Sequence, residues 1–143
     1  MGRFSVDIEL GNNDDMARAR VGDIPTDEIR RVTVRGVVDS VALRSSGATR
    51  LVIPESVARQ LGLEASGETT VRYADGRTAQ RRMAIGIHLA YAGRGSVFNA
   101  VIEPDRDSAL VGAIVLEDLD LVIDCTRQAL SPRDPKRIIS EVE

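Results

Sequence analysis

One carboxylate closes a run of β-branched residues in Val37-Val38-Asp39-Ser40, and after residues 41–46 the chain continues as Gly47-Ala48-Thr49-Arg50-Leu51-Val52-Ile53-Pro54. An Asp-Ser pair at a strand end is ordinary turn chemistry, because a short polar side chain bonds readily to its own backbone. The same Asp is a general acid or base when its carboxyl is held beside a partner group. Other reactive side chains are scarce. Cys125 is the only cysteine and His88 the only histidine, so neither an internal disulfide nor a cysteine metal cluster is available, and no metal or cofactor is expected. His88 reads as a residue on a strand face. Cys125, which follows Leu121-Val122-Ile123, reads as a small buried hydrophobe. Arg81-Arg82 reads as a solvated edge, and Gly93-Arg94-Gly95 as a turn too short to cradle phosphate.

A chain of 143 residues fits one domain with a real core. Apolar residues make up 43% and charged ones 29%, the balance of a globular protein. Aromatic residues are only 3% and Trp is absent, so the core must rest on Val, Ile, Leu and Ala. A formal charge of −3 with a single Lys, Lys136, offers no general attraction to nucleic acid or to anionic membranes. No stretch of 18 apolar residues occurs and residues 1–10 hold no signal-peptide run, so a cytoplasmic protein is the expectation.

The elements that must position Asp39 are short. Residues 4–10 alternate Phe4, Val6, Ile8 and Leu10 against Ser5, Asp7 and Glu9, the period of a half-buried strand. Residues 11–28 are polar and read as a long loop with room for one helical turn. Residues 29–39 read as a second strand paired with the first, and Leu51-Val52-Ile53 as a buried strand. Pro54 opens a helix over residues 55–61, which faces Val57 and Leu61 inward and is capped by Gly62. Asp75-Gly76 turns a hairpin between residues 68–74 and the run from Arg77. Strand character continues through residues 85–89 and 97–103. Residues 109–112 read as an apolar strand, 113–118 as a short helix, and 121–124 and 128–130 as the last strands. The expectation is a mainly β, closed barrel-like domain with two short helices, its core over about residues 3–132. The charged tail, 133–143, holds Ile138, Ile139 and Val142 and is a candidate interface strand.

Three pieces, in this order, resemble the retropepsin-like aspartic peptidases of the bacterial single-domain type. Without Val41 to Ser46 the first segment reads VVDSGATRLVIP, similar to that family's catalytic loop. Tyr73-Ala74-Asp75-Gly76-Arg77 looks like the flap that closes over substrate. Ala109-Leu110-Val111-Gly112-Ala113, with Leu116, resembles the apolar segment before the family's short helix. The resemblance implies a retropepsin-like barrel and hydrolysis of peptide bonds in peptide or protein substrates. Asp39 would be the catalytic residue, with Ser40, Gly47, Ala48 and Thr49 shaping its loop and Tyr73, Ala74, Asp75 and Gly76 contacting substrate. Two carboxylates about 3 Å apart share one proton and so serve as both base and acid. With one such motif per chain, the second Asp39 would come from a second copy, making a homodimer.

Residues 41–46 leave two registers open. A register without a gap lays Ala42-Leu43-Arg44-Ser45-Ser46-Gly47-Ala48-Thr49 on the same loop and puts Ser45 at the catalytic position, in a protein that would not cut. A separate alternative, raised by the extra residues themselves, is a non-catalytic dimer that keeps the fold and binds extended peptides by strand addition. Residues 49–63, with Gly67 and Val71, also resemble the swapped-hairpin DNA-binding antitoxins and transition regulators, although the acidic balance argues against nucleic acid as a partner.

Overall fold

The first two strands follow from their alternation. β1 (Arg3–Asn12) and β2 (Arg31–Asp39) pair antiparallel over nine registered positions, from Arg3 opposite Asp39 to Gly11 opposite Arg31. Phe4, Ile8 and Leu10 of β1 and Val34 and Val38 of β2 turn into the core. The structure is a computed structural model that describes residues 3–39 and 50–134.

The remaining strands are β3 (Leu51–Pro54), β4 (Ala65–Arg72), β5 (Thr78–Tyr91), β6 (Arg94–Glu103), β7 (Ala109–Leu110), β8 (Leu121–Asp124) and β9 (Ala129–Pro132). Strands β1, β2, β7, β3, β6 and β5 follow one another in the sheet, and β5 pairs back onto β1. Six strands thus form a closed barrel, as expected from the sequence. β5 closes it by changing partners along its length. Its first half pairs with β4, and residues 87–90 pair with β1. The change falls at a bulge between Ala84 and Ile87, where Gly86 takes φ +73°. A bulge bends a strand and increases its twist, which is how a sheet turns a corner. β8 and β9 make a separate two-stranded hairpin.

The core is aliphatic. Ile8, Leu10, Leu51, Ile53, Ile87 and Leu89 are all 2% exposed or less, and each such burial contributes about 1.5–3 kcal/mol. β3 is paired on both sides, parallel to β6 and antiparallel to β7. The segment that resembles a swapped hairpin is therefore built into the barrel wall.

Three helices are present among the described residues, against the two expected: α1 (Asn13–Arg20), α2 (Glu55–Gln60) and α3 (Ala113–Asp118), with a 3-10 turn at Thr26–Glu28. Residues 11–28 are thus not the loop that their polarity implied. α1 has almost no apolar face, and its stability comes from its ends. The Asn12 side chain caps it by accepting the Asp15 N–H, Asp14 and Asp15 occupy the first turn, and Arg18 and Arg20 the last. Asp15 is buried and accepts two bonds from the Arg30 guanidinium, at 2.8 and 2.9 Å, and one from the Arg30 backbone N–H. These bonds, the guanidinium pair first, hold its carboxyl below the usual carboxylate range.

Three further expectations need correction. The strand expected over residues 109–112 is only Ala109–Leu110, because Gly112 already caps α3. Cys125 is exposed rather than buried. β8 ends at Asp124, whose side chain accepts the Arg127 N–H and folds the chain into a surface turn. Arg94, read as a turn residue, opens β6 and is itself buried. Its guanidinium donates to the carbonyls of Leu119, Asp120 and Asp134, which fastens the β8–β9 hairpin to the barrel. Its Nε is buried and has no hydrogen-bond partner among the described residues.

Candidate active site

Asp39 is the last residue of β2 and is half-buried. Val38 is wholly buried on the inner face, so alternation places Asp39 on the outer face with Val37 and Arg35. Arg3 lies directly across β1 from it. β7 runs parallel to β2 and antiparallel to β3. The end of β2 at Asp39, the start of β3 at Leu51 and the bend at Gly112 therefore converge on one edge of the barrel. Gly36, three residues before Asp39, makes this approach possible. A Cβ there would stand 2.9 Å from a Val111 methyl and 3.2 Å from Ile8. Beside Arg3 is a shallow depression of about 350 Å³, lined also by Ser5, Arg35, Asp107 and Ser108.

Ser40, Gly47, Ala48 and Thr49 lie outside the described residues, as do Ser45 of the other register and Ile138, Ile139 and Val142 of the tail. The hairpin residues are described. Tyr73 donates its N–H to the Arg77 carbonyl, and Gly76, at φ +89°, donates to the Tyr73 carbonyl. The tip is a three-residue loop whose last residue is left-handed, a role that suits Gly. Asp75 accepts from the Arg77 backbone N–H and from its guanidinium, and these bonds, the backbone one first, hold its carboxyl low.

The hairpin is fastened to the barrel through Glu103, the last residue of β6. One Glu103 oxygen accepts the Tyr73 hydroxyl at 2.7 Å and the other accepts Arg81 Nε at 2.8 Å. The guanidinium carbons of Arg77 and Arg81 stand 5.6 and 5.9 Å from the Tyr73 ring centre, within cation–π range. The hydrogen bond to Glu103, then burial, pushes the Tyr73 phenol up. Arg82 reaches Glu55 of α2 at 2.6 Å. Neither arginine is the merely solvated edge expected from the sequence, and Arg81 is only 25% exposed along its side chain. Sequence reasoning missed Glu103 altogether, since a Glu before Pro104 at a strand end carries no distinguishing signal. Glu103 lies in register with Pro54, at the far end of β3 from Leu51. The tip and Asp39 are thus anchored at opposite ends of β3. Among the described residues no group of three His, Cys, Asp or Glu side chains is placed to hold a metal ion, and no helix is long and apolar enough to cross a membrane.

A family model of aspartyl proteases matches residues 29–116. The chain belongs to the aspartyl protease family. The matched region runs from just before β2 into α3 and so takes in Asp39, the hairpin tip and β7, three parts the resemblance rests on. Among solved structures, the chain is similar to the retroviral protease-like domain of Ddi1 from Leishmania major, with 16% identity and a TM-score of 0.47 over 90% of this chain and 88% of that one. No curated protein sequence matches it.

Proposed function

We propose that this chain is an aspartic endopeptidase whose catalytic pair consists of Asp39 from each of two copies. The observation that carries the reading is the family match across residues 29–116, taken with the position of Asp39 at the end of β2, where three chain segments converge. One carboxylate takes a proton from water while the other, protonated, gives its proton to the scissile carbonyl or the leaving amine. The two Asp39 groups must share a single proton, so activity peaks at acidic pH. The hairpin supplies a cover for an extended peptide, with Tyr73, Ala74, Asp75 and Gly76 nearest to it.

The test compares the parent with a variant lacking residues 41–46, each with and without Asp39→Asn, on a peptide library from pH 3 to 7. Cleavage by both forms, lost in both on Asp39→Asn, supports a working site that tolerates the longer loop. Cleavage by the shortened form alone marks the parent as an inactivated member of its family. Peptide binding without cleavage by either form supports the non-cutting dimer, and a rate still climbing at pH 7 contradicts a shared proton.

A further inference from the structure

In a closed barrel every wall strand is paired on both sides. β4 stands outside the ring and, among the described residues, pairs only with β5. Its outer edge is a row of backbone donors and acceptors open to a further strand. Glu68, Thr70 and Arg72 are exposed, while Thr69 and Val71 are partly covered. The exposed face thus carries a negative charge, a neutral residue and a positive charge at intervals of two.

That pattern is self-complementary. A second β4 laid antiparallel about a two-fold axis through Thr70 sets Glu68 opposite the partner's Arg72, and Arg72 opposite the partner's Glu68. The half-covered Thr69 then faces Val71 on the other surface. An axis through Glu68 or Arg72 sets like charges face to face, and an axis through Thr69 or Val71 leaves both charges opposite neutral residues. Only the Thr70 register satisfies both copies. Charged residues on an edge ordinarily discourage pairing; here they favour one register and discourage its neighbours. Gln80 on β5 donates to the Thr70 hydroxyl at 2.8 Å, so this face is ordered on the barrel side.

We infer that β4 is a self-association edge, and that two copies of this chain join there into one continuous antiparallel sheet. The occupant is a second copy, because the complementarity lies between β4 and itself. A strand of this length buries less than the roughly 1,000 Å² of a stable interface, so the contact forms at high protein concentration and weakens with salt. It is distinct from the two-fold that would join the Asp39 residues. Where that dimer exists, it carries two β4 edges, so β4 pairing takes dimers to tetramers and larger even-numbered oligomers; where it does not, β4 pairing takes monomers to dimers.

The experiment is sedimentation velocity on the whole chain from about 10 to 500 µM, with Glu68→Arg, Arg72→Glu and the double exchange. Thermal melts confirm that each variant is folded. Each symmetric contact holds two charge pairs, and a single exchange turns both from attractive to repulsive, so each single variant should weaken association about tenfold or more. The double exchange restores opposite charges and should return association to within about threefold of the parent. Parental association in the single variants, failure of the double exchange to restore it, or no concentration-dependent species above the 10 µM state would overturn the inference. So would an extended peptide binding along β4 in the absence of self-association. Peptide cleavage by the single variants at low concentration reads the Asp39 site separately, so loss of cleavage in the parent leaves this result intact.

Discussion

Removing the Tyr73 hydroxyl isolates how firmly the hairpin is held to the barrel. Tyr73→Phe keeps the ring between Arg77 and Arg81 but deletes the bond to Glu103. A hydrogen bond to a charged acceptor contributes about 1.5–3 kcal/mol, and a partly exposed one less, so about 1 kcal/mol is expected here. That figure is a roughly fivefold rise in local opening, read as faster amide exchange. The reporting amides are those of Tyr73 and Gly76, which bond within the tip. The Val111 amide, which donates to Val37 in the barrel wall, serves as the control and should not change. The phenol also carries a pH signature. Its folded pKa is raised, so its contribution is complete below the unfolded value of about 10 and is lost as pH climbs through the folded one. Parent hairpin amides should therefore lose protection, relative to Tyr73→Phe, only above about pH 10. Equal exchange in parent and variant at neutral pH would refute the claim that Glu103 holds the hairpin. Glu103→Gln, which also removes the ion pair with Arg81, should loosen the tip further than Tyr73→Phe.

Gly36→Ala should destabilise the fold by about 1–3 kcal/mol, because its Cβ meets Val111 and Ile8. It should also reduce any peptide cleavage, since the displaced strand is the one that ends at Asp39; melting curves and turnover are the measurements. Asp15 has a lowered pKa in the folded state, so its contribution is present above the unfolded pKa of about 3.9 and falls away as pH drops through the folded value. Urea midpoints of the parent should accordingly decline below about pH 4, and those of Asp15→Asn should decline less steeply. Arg94→Met removes three hydrogen bonds from a buried guanidinium and should cost about 3 kcal/mol, near 10 °C of melting temperature for a chain of this size.

The β1–β2 pair, the Gly62 cap and the Asp75-Gly76 hairpin were legible because each depends on local chemistry: alternation, a left-handed position, a tight turn. Asp39 was legible as a candidate because a strand-ending Asp stands beside turn residues. α1 was not, since apolar periodicity is the usual mark of a helix and this one is held by its cap and by Arg30, fifteen positions beyond Asp15. Cys125 was misread because the apolar run before it says nothing of where the strand stops. Glu103, Arg81 and Arg94 act through partners far along the chain, and such pairings leave no trace in a local window. The closure of β5 onto β1 was equally hidden, since it turns on a bulge at a glycine inside an apparently continuous strand.

The order β2-β7-β3 also bears on the chain's freedom to vary. With one strand between them, the ends of β2 and β3 lie about two strand spacings apart, roughly 10 Å. An extended residue reaches about 3.3–3.6 Å, so three or four residues suffice to join Asp39 to Leu51. Eleven residues fill that interval, and five would remain without residues 41–46. Closing the longer connection costs only about 0.7 kcal/mol more than the shorter one. The barrel therefore accepts either length at nearly the same stability. A change of length here thus bears on the surroundings of the Asp39 carboxylate, and on the function proposed for it, far more than on folding.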